Sequence, residues 1–195
     1  MEKKAKKGLL IILSGPSGVG KETVRQRLEE IRKFNLVYSI SMTTRQPRNQ
    51  EVDGVNYYFV SQEEFKKNIA NDNFLEYAKF VGNYYGTPKD KVEALRNQGL
   101  NVLLEIEING AKQVLSKVKD DRVISFFLMP PSLEDLEARI RKRKTESEEV
   151  IAERLHKGKE EMTMTENYDY VILNDKVNRA AKEISDLIER KLNEL

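Results

Sequence analysis

The segment Gly15-Pro-Ser-Gly-Val-Gly-Lys21 constrains the fold of this chain more than any other stretch. It follows a continuous apolar run, Leu9–Leu13, and precedes a helix-like stretch, Glu22–Lys33. A glycine, four residues and then Gly-Lys, between a strand and a helix, form the phosphate-binding P-loop pattern. The glycines let successive backbone N–H groups turn inward around an anion, and the helix N-terminus and the lysine add positive charge. A glycine-rich tight turn is the structural alternative, and the lysine argues against it.

Apolar runs and helix-like stretches alternate along much of the remaining chain. The further runs typical of buried strands are Val102–Ile106, Val123–Met129 and Tyr170–Leu173, with Val37–Met42 as a weaker candidate. The helix-like stretches are Gly110–Val118, Leu133–Lys142, Glu148–Glu161 and Val177–Leu192. This alternation predicts an α/β protein built of βαβ units, with a mostly parallel sheet covered on both faces.

Residues 44–88 differ from this pattern. They contain turn sequences such as Arg48-Asn-Gln50 and Asp53-Gly54, and short strand-like pieces surround one short helix, Gln62–Ala70. Five of the eight tyrosines lie here. We therefore expect an insertion with its own small, partly β architecture rather than a second independent domain.

The composition limits the chemistry available to this chain. Its 195 residues suit one domain, and they include no cysteine and one histidine, which excludes disulfides, thiolate zinc sites and a cysteine nucleophile. With 34 Lys+Arg against 32 Asp+Glu, the net charge is only +2, so a nucleic acid polymer is not an expected partner. The apolar runs are too short to span a bilayer, and the basic start Met1–Lys7 lacks the apolar stretch of a signal peptide. We expect a soluble cytoplasmic protein without a membrane partner.

Two arginines after the weaker strand candidate indicate a second anion site. Arg45 and Arg48 are three residues apart around a proline, so both guanidinium groups can face one small anion, and arginine suits bidentate contact with phosphate. Tyr57 and Tyr85 offer hydroxyl donors nearby in sequence. A solvated basic turn is the alternative for the arginine pair taken alone.

One P-loop position departs from the usual pattern. Glu22, followed by Thr23, stands where a serine or threonine normally follows the lysine and holds magnesium. Glu22 has three open interpretations: it faces solvent in the first helical turn, where the dipole favours an acid, it contributes to a metal shell, or it weakens nucleotide binding.

Six ordered motifs together resemble bacterial guanylate kinases, of the P-loop nucleoside monophosphate kinase family, over roughly residues 8–192. They are the P-loop, Ser41–Arg48, Glu51–Tyr57, Phe74–Tyr77, Gly82–Thr87 and Leu104–Gly110, and Pro130–Ser132 and Asn174–Asp175 extend the match. The resemblance implies a three-layer α/β/α core, a small mixed α/β GMP-binding insertion and a helical lid in one domain of residues 1–195. We expect the core at about 8–40, 95–135 and 165–195, the insertion at about 41–90 and the lid at about 136–164.

The resemblance also implies an activity, the transfer of the γ-phosphoryl group of ATP to GMP or dGMP with Mg²⁺, by a monomer or homodimer. Two alternatives differ in class. Guanylate-kinase-like domains of scaffold proteins bind phosphorylated peptides at the GMP site, but usually have a degraded P-loop and neighbouring interaction domains. A kinase for another small phosphorylated acceptor is the second alternative, and the pair Glu76 and Ser41 argues against it.

The site residues that the resemblance implies form four groups. The ATP-binding residues are Gly15, Pro16, Ser17, Gly18, Val19, Gly20, Lys21, Glu22, Thr23 and Asn174. The GMP-binding residues are Ser41, Arg45, Arg48, Tyr57, Glu76, Tyr85, Thr87 and Glu107. The expected charge stabilisers in catalysis are Lys21, Arg45, Arg143 and Arg154. Glu105 is expected to orient magnesium, through water.

The carboxylates suit these implied roles. Guanine presents N1–H and N2–H donors, which a carboxylate at Glu76 can accept, while a hydroxyl at Ser41 or Thr87 can donate to O6. Adenine lacks that donor pair, and sites built on polar pairing reject such analogues by about 10⁴ or more. Glu105 lies in an apolar run, where an unpaired acid is unfavourable, and Glu107 follows on the same face if the strand continues. A strand-end pair facing solvent is the alternative.

The lid segment is basic and imperfect. Five of the six residues 139–144 are Lys or Arg, and Arg143 matches the arginine of an Arg-Gly-Thr lid motif. Lys144 replaces the glycine of that motif, which predicts strain if the position needs a positive φ. Arg139 and Arg141 have no firm role. We interpret His156 as a surface or packing residue and Gly158 as a point of local flexibility.

Overall fold

The computed structural model describes residues 6–31, 33–142 and 147–195, and these ranges form nine strands and seven helices. The strands are β1 (Leu10–Ser14), β2 (Leu36–Tyr38), β3 (Met42–Thr43), β4 (Tyr58–Phe59), β5 (Phe74–Phe80), β6 (Asn83–Pro88), β7 (Asn101–Glu105), β8 (Val123–Met129) and β9 (Tyr170–Leu173). The helices are α1 (Lys21–Ile31), α2 (Gln62–Ala70), α3 (Lys89–Asn97), α4 (Ile108–Lys117), α5 (Leu133–Lys142), α6 (Glu148–Glu161) and α7 (Val177–Glu194).

A parallel sheet with strand order β2-β7-β1-β8-β9 forms the centre of the described chain. In the middle of β1, Ile12 lies opposite Leu104 of β7 on one side and Ser125 of β8 on the other. Every residue of β1 is buried, because helices cover both faces of the sheet. The predicted α/β class, with a mostly parallel sheet, is confirmed.

Alternate residues of the central strand belong to two separate apolar layers, as the two-residue period of a strand requires. Ile11 and Leu13 pack in the layer that contains α1 and α7, with Val24 and Ile184 among its members. Leu10 and Ile12 pack in the layer that contains α3 and α4. The three-layer arrangement follows from these two layers of side chains.

The predicted strand Val37–Met42 is wrong as one element. The chain pairs with β7 through Leu36–Tyr38, and the Ser39 N–H donates to the Leu103 carbonyl; it then leaves the parallel sheet and forms β3 in a different sheet. Tyr58 donates its backbone N–H to the carbonyl of Ser41, which fixes the crossing point. Ser41 therefore lies at the junction of the two sheets.

The second sheet has the order β4-β3-β6-β5 and mixes parallel and antiparallel pairs. Helix α2 begins after Ser61, whose hydroxyl accepts the N–H of Glu64, and it packs Phe65 against Phe74 with ring centroids 4.4 Å apart. Helix α3 then returns the chain to the parallel sheet. The sequence patterns did not indicate α3.

Helices α5 and α6 pack on each other through a small apolar cluster of Leu136, Ile140 and Ile151. Gly158 lies within a continuous α6 and does not interrupt it. A Cβ at Gly158 would lie 2.8 Å from a Leu136 methyl carbon, so the glycine permits close packing of the two helices. Across the described ranges, no helix has both the length and the apolarity needed to cross a membrane.

Candidate active site

A cavity of about 340 Å³ lies where β1 and β7 end and α1 begins. Ligands of open α/β sheets bind at the carboxyl ends of the strands, and this cavity has that position. It is lined by Ser17, Gly18, Gly20, Lys21, Glu22, Thr23, Glu105, Ile106 and Glu107.

The P-loop follows β1 directly and depends on its glycines. Gly15, Gly18 and Gly20 have φ values of +145°, +86° and +100°, a region that side chains with a Cβ rarely adopt. The ammonium group of Lys21 donates to the carbonyls of Gly15 at 2.7 Å and Pro16 at 3.2 Å. Burial lowers the pKa of Lys21, and the charges of Glu107 and Glu105 oppose that shift. The Lys21 side chain thus folds back over the P-loop, and we expect an anion to bind to the lysine and the loop together.

Arg139 and Asn174 hold the far side of the P-loop. Arg139 donates to the carbonyls of Val19 at 2.8 Å and Asn174 at 2.6 Å, and the Asn174 amide also donates to Val19 at 2.8 Å. A Cβ at Gly20 would lie 2.9 Å from the Asn174 amide nitrogen. Arg139, which had no firm role from sequence, therefore joins α5 to the phosphate loop.

Helix α6 contacts the outer edge of the same loop. Arg154 donates to the Ser17 hydroxyl at 2.8 Å, and the Ser17 backbone N–H donates to the buried carboxylate of Glu161 at 3.3 Å. Lys157 lies 3.6 Å from both Glu107 and Glu161. Arg143 and Lys144 lie outside the described residues. Glu161 was missed from sequence, because nothing in a charged helix end distinguishes it from its neighbours.

Glu105 forms a half-buried ion pair. Its Oε2 accepts from Arg25 Nε at 2.8 Å, and the Arg25 guanidinium lies 4.4 Å from the centre of the Tyr38 ring. Burial raises the pKa of Glu105, and the charge and hydrogen bond of Arg25 oppose the shift. Burial and the charge of Glu105 raise the pKa of Tyr38 to about 12, against the effect of Arg25. Arg25, one helical turn after Lys21, was also missed.

Two acids near the cavity are exposed. Strand β7 ends at Glu105, so the condition for a shared strand face with Glu107 is not met; Glu107 occupies the N-cap position of α4 without a side-chain capping hydrogen bond. Glu22 is exposed in the first turn of α1, and Thr23 follows it.

Glu76 and Thr87 face each other across the β5–β6 pair. Glu76 is 7% exposed, and its Oε1 accepts the Thr87 hydroxyl at 2.5 Å. Burial raises the pKa of the Glu76 carboxyl, and the hydrogen bond from Thr87 opposes this. The structure thus brings together two of the residues that were expected to read guanine, in one buried hydrogen-bonded pair.

Arg45 is held by an acid of its own segment. Its guanidinium makes two bonds of 2.9 Å to Glu51, and it lies 5.4 Å from the centre of the Tyr57 ring. Hydrogen bonds from Arg45 and from the Arg48 backbone lower the pKa of Glu51 to about 2. Tyr85 stands edge-on to Tyr57, with ring centroids 6.2 Å apart, and Arg48 is exposed. The Arg45 side chain is therefore oriented before any ligand binds. Glu51 lies in one of the motifs noted in the sequence, but no role was predicted for it.

The start of α4 joins the two groups of residues. The P-loop, Glu105 and Glu107 lie at the end of the parallel sheet, whereas Glu76 and Thr87 lie on the second sheet and the arginine pair lies in the loop after β3. A Cβ at Gly110 would lie 2.8 Å from Glu76 Oε2, so the second sheet touches α4 at Glu76. The charge of Glu107 also contributes to the raised pKa of Glu76.

Residues 7–191 match the family model described as guanylate kinase. The chain is 52% identical over 185 residues to a guanylate kinase of Latilactobacillus sakei, covering 94% of this chain and 89% of that protein. It is also 52% identical over 185 residues to a guanylate kinase of Mesoplasma florum, covering 95% of this chain. The chain spans 62% of the length of that relative and 61% of the length of a Mycoplasma capricolum guanylate kinase.

Solved structures agree with this similarity. A crystal structure of guanylate kinase from Anaplasma phagocytophilum has a TM-score of 0.72 and 34% identity, covering 95% of this chain and 87% of that one. The SH3-kinase fragment of tight junction protein 3 shares the fold alone, with a TM-score of 0.51 and 12% identity, covering 97% of this chain and 59% of that one. By its sequence and its fold, the chain belongs to the guanylate kinase family.

Proposed function

We propose that this protein transfers the γ-phosphoryl group of ATP to GMP, giving ADP and GDP. The observation that carries the proposal is the buried pair of Glu76 and Thr87, on a sheet that contacts the core beside the P-loop cavity. A P-loop alone indicates only a nucleotide phosphate. The buried carboxylate adds a site for a base with two adjacent N–H donors.

The donor nucleotide is proposed to bind at the P-loop, residues 15–23. Its backbone N–H groups and Lys21 would contact the phosphates. The adenosine part is proposed to lie on the side of the loop where Arg139 and Asn174 bond to the Val19 carbonyl. Arg154 already reaches Ser17 and is proposed, with Arg143, to stabilise the charge on the transferring group.

The acceptor is proposed to bind on the second sheet. Glu76 would accept N1–H and N2–H of guanine, and the Ser41 hydroxyl would donate to O6, because the single donor of the Thr87 hydroxyl is directed at Glu76. Arg45 and Arg48, with the hydroxyls of Tyr57 and Tyr85, would hold the acceptor phosphate. The bidentate contact with Glu51 supports this role for Arg45, because an oriented guanidinium loses less freedom on binding. Glu107, which lies 3.6 Å from Lys157, would contact the acceptor at the start of α4.

The residues around the P-loop cavity fit a magnesium ion. Mg²⁺ prefers oxygen ligands, keeps several waters, and uses one or two carboxylates together with substrate phosphates. Glu105 and Glu22 provide carboxylates and Thr23 a hydroxyl, while no group of three acids or histidines in the described ranges could hold a metal by itself. Glu105 would orient the ion, which would neutralise charge on the ATP phosphates.

The protein's own contribution is positioning and electrostatic stabilisation, since phosphoryl transfer needs little covalent work from side chains. Lys21, Arg45, Arg143 and Arg154 would supply positive charge to the two phosphates held in line. Closure over both nucleotides would exclude water as a competing acceptor. We further propose that the enzyme works in the cytoplasm in purine nucleotide metabolism, as a monomer or homodimer, and that dGMP is a second acceptor.

The proposal is tested by measuring ADP formation from ATP and Mg²⁺ with GMP, dGMP, AMP, CMP and UMP in parallel. We expect turnover with GMP and dGMP to exceed that with AMP by about 10⁴. Equal turnover with AMP would refute the guanine assignment. Absence of turnover with every acceptor would favour a phosphopeptide-binding module.

A further inference from the structure

Strand β5 carries Glu76, yet strand pairing alone does not determine the position of this residue. The β5–β6 register slips between Phe74, which lies opposite Pro88, and Glu76, which lies opposite Thr87. Such a bulge leaves a residue unpaired and changes the direction of nearby side chains. β5 is also the edge strand of its sheet, so its outer backbone groups need another partner.

Helix α4 supplies that partner through one side chain. The Gln113 amide accepts the backbone N–H of Tyr77 at 3.1 Å and donates to the backbone carbonyl of the same residue at 2.9 Å. The side chain thus pairs with Tyr77 as a neighbouring strand would. Lys117, one turn later, donates to the carbonyl of Phe74 at 3.3 Å, so α4 holds β5 on both sides of the bulge.

One turn before Gln113, the helix leaves room for the carboxylate. Gly110 is buried, and a Cβ there would lie 2.8 Å from Glu76 Oε2 and 3.2 Å from its carboxyl carbon. The φ of Gly110 is not in the left-handed region, so the glycine is required by space rather than by backbone conformation. Gly110 and Gln113 lie three residues apart on one helix face, and that face meets β5.

We propose that Gly110 and Gln113 are positioning residues for acceptor recognition. Gln113 fixes the backbone next to Glu76, and Gly110 gives the carboxylate the space in which it meets Thr87. Because α4 begins directly after Glu105 and Glu107, the same helix sets the distance between the base-reading carboxylate and the phosphate end of the sheet. This inference rests on the proposed function, in which Glu76 recognises guanine.

Two variants separate positioning from general damage to the fold. Gly110→Ala places a methyl group 2.8 Å from Glu76 Oε2, so the Glu76 carboxylate has to shift, and the preference of a helix for alanine over glycine offsets part of the cost. We therefore expect Gly110→Ala to fold with the Glu76 carboxylate displaced, and the Tm of each variant is measured beside its binding. Gln113→Met keeps the side-chain length and removes both hydrogen bonds to Tyr77. Lys112→Ala, at an exposed position of the same helix, is the control.

The measurement is calorimetric binding of GMP and, separately, of ATP, together with kcat and KM for both nucleotides. We expect Gly110→Ala and Gln113→Met each to bind GMP roughly tenfold more weakly, as the loss of about one hydrogen bond between Glu76 and the base implies. ATP affinity is expected to stay unchanged in both, and Lys112→Ala is expected to behave as the parent protein. GMP affinity equal to that of the parent protein in Gly110→Ala would overturn the inference, as would parallel losses for ATP and GMP. A parent protein that neither binds nor turns over GMP would refute the proposed function instead.

Discussion

Glu76 is a carboxylate with almost no exposure to solvent, and its protonation is expected to control acceptor binding. Burial raises its pKa above the ordinary range, against the hydrogen bond from Thr87. Guanine needs the ionised form, because only that form accepts two N–H donors. We predict that GMP affinity falls as pH drops through the raised pKa, at a higher pH than an exposed glutamate would require.

The variant Glu76→Gln provides the control for this pH dependence. Its amide turns an N–H toward the guanine donors, so we expect affinity for GMP to fall about a hundredfold or more and to lose this acidic transition. ATP affinity is the internal reference. Calorimetric titrations between pH 5 and 8 check both expectations; because the GMP phosphate itself titrates with a pKa of about 6, the two proteins are compared, and equal pH dependence of GMP affinity in both would contradict them.

Arg25 is expected to orient the carboxylate that would face magnesium. It engages Glu105 Oε2 and lies on the Tyr38 ring, and both side chains of the ion pair are largely buried. We predict that Arg25→Met weakens binding of MgATP about tenfold, while binding of ATP without metal changes little. Arg27→Met is the matched control, because Arg27 is an exposed arginine of the same helix that pairs with Glu30. Equal effects of the two variants on MgATP binding would contradict the prediction.

Sequence reasoning located residues whose chemistry is local and missed those whose role depends on packing. Lys21 is identified by its place in a contiguous motif, and Glu76 by its place in a motif of the family. Arg25 and Gln113 are ordinary polar residues of amphipathic helices, and only the neighbouring strands give them a role. Their contacts join residues 80 and 36 positions apart, a separation that no local pattern encodes.

Among elements, the core strands were predicted well and the junctions poorly. β8 is a buried apolar run, whereas β9 is the edge strand of the parallel sheet and leaves Val171 and Leu173 exposed, but the bounds of both agree with the patterns. The segment Val37–Met42 has the same β propensity throughout, but its two halves belong to different sheets, which only the tertiary structure decides. Helix α3 was overlooked because a proline at its N-cap and its charged sequence resemble the turns before it.

The contact of α6 with the P-loop yields a prediction for the whole helix. Glu161 accepts the Ser17 N–H from a buried position, so Glu161→Gln replaces a charged acceptor by a weaker neutral one. We expect faster hydrogen exchange in the loop and in α6, and weaker ATP binding by roughly fivefold. Glu160→Gln, at the exposed neighbouring position, is the control. Unchanged exchange in Glu161→Gln would show that the loop does not depend on this contact.

At the scale of the whole molecule, one buried arginine links three segments of the fold. Arg96 has 0% exposure and donates to the Gly8 carbonyl at 3.1 Å, to Glu93 at 2.7 Å and to Asp120 at 2.7 Å. These contacts connect α3 to the residues that precede β1 and β8. A buried charge with several partners is strongly destabilising when one side of the network is removed.

We predict that Arg96→Met lowers the free energy of unfolding by about 3 kcal/mol and Tm by roughly 10 °C. Arg190→Met, at an exposed position of α7, is expected to leave both nearly unchanged.

Burial would raise the pKa of Asp120, but the Arg122 backbone N–H and Arg96 outweigh it and hold the pKa at about 2. Its stabilising contribution is therefore present above the unfolded pKa and is lost as pH falls toward 2. Thermal unfolding that is equally sensitive to acid in Arg96→Met would contradict this.

The net charge of +2 is the difference between 34 basic and 32 acidic residues, and a few of each kind lie at the candidate site. The basic set includes Lys21 at the P-loop, Arg45 in the loop after β3 and Arg154 on α6. The acidic set includes Glu76 and Glu105, which are proposed to bind the base and to orient the metal. A net charge near zero is therefore compatible with local clusters of positive charge. The proposed reaction uses neither cysteine nor histidine.

The proposed transfer is tested most directly by following the γ-phosphate. ATP labelled at the γ position is incubated with the protein, Mg²⁺ and GMP, and the labelled products are separated by chromatography. We predict that the label appears in GDP, in step with ADP, and that omission of GMP stops its release from ATP. Label that reaches inorganic phosphate at the same rate with and without GMP, or that stays in ATP, would contradict phosphoryl transfer to GMP.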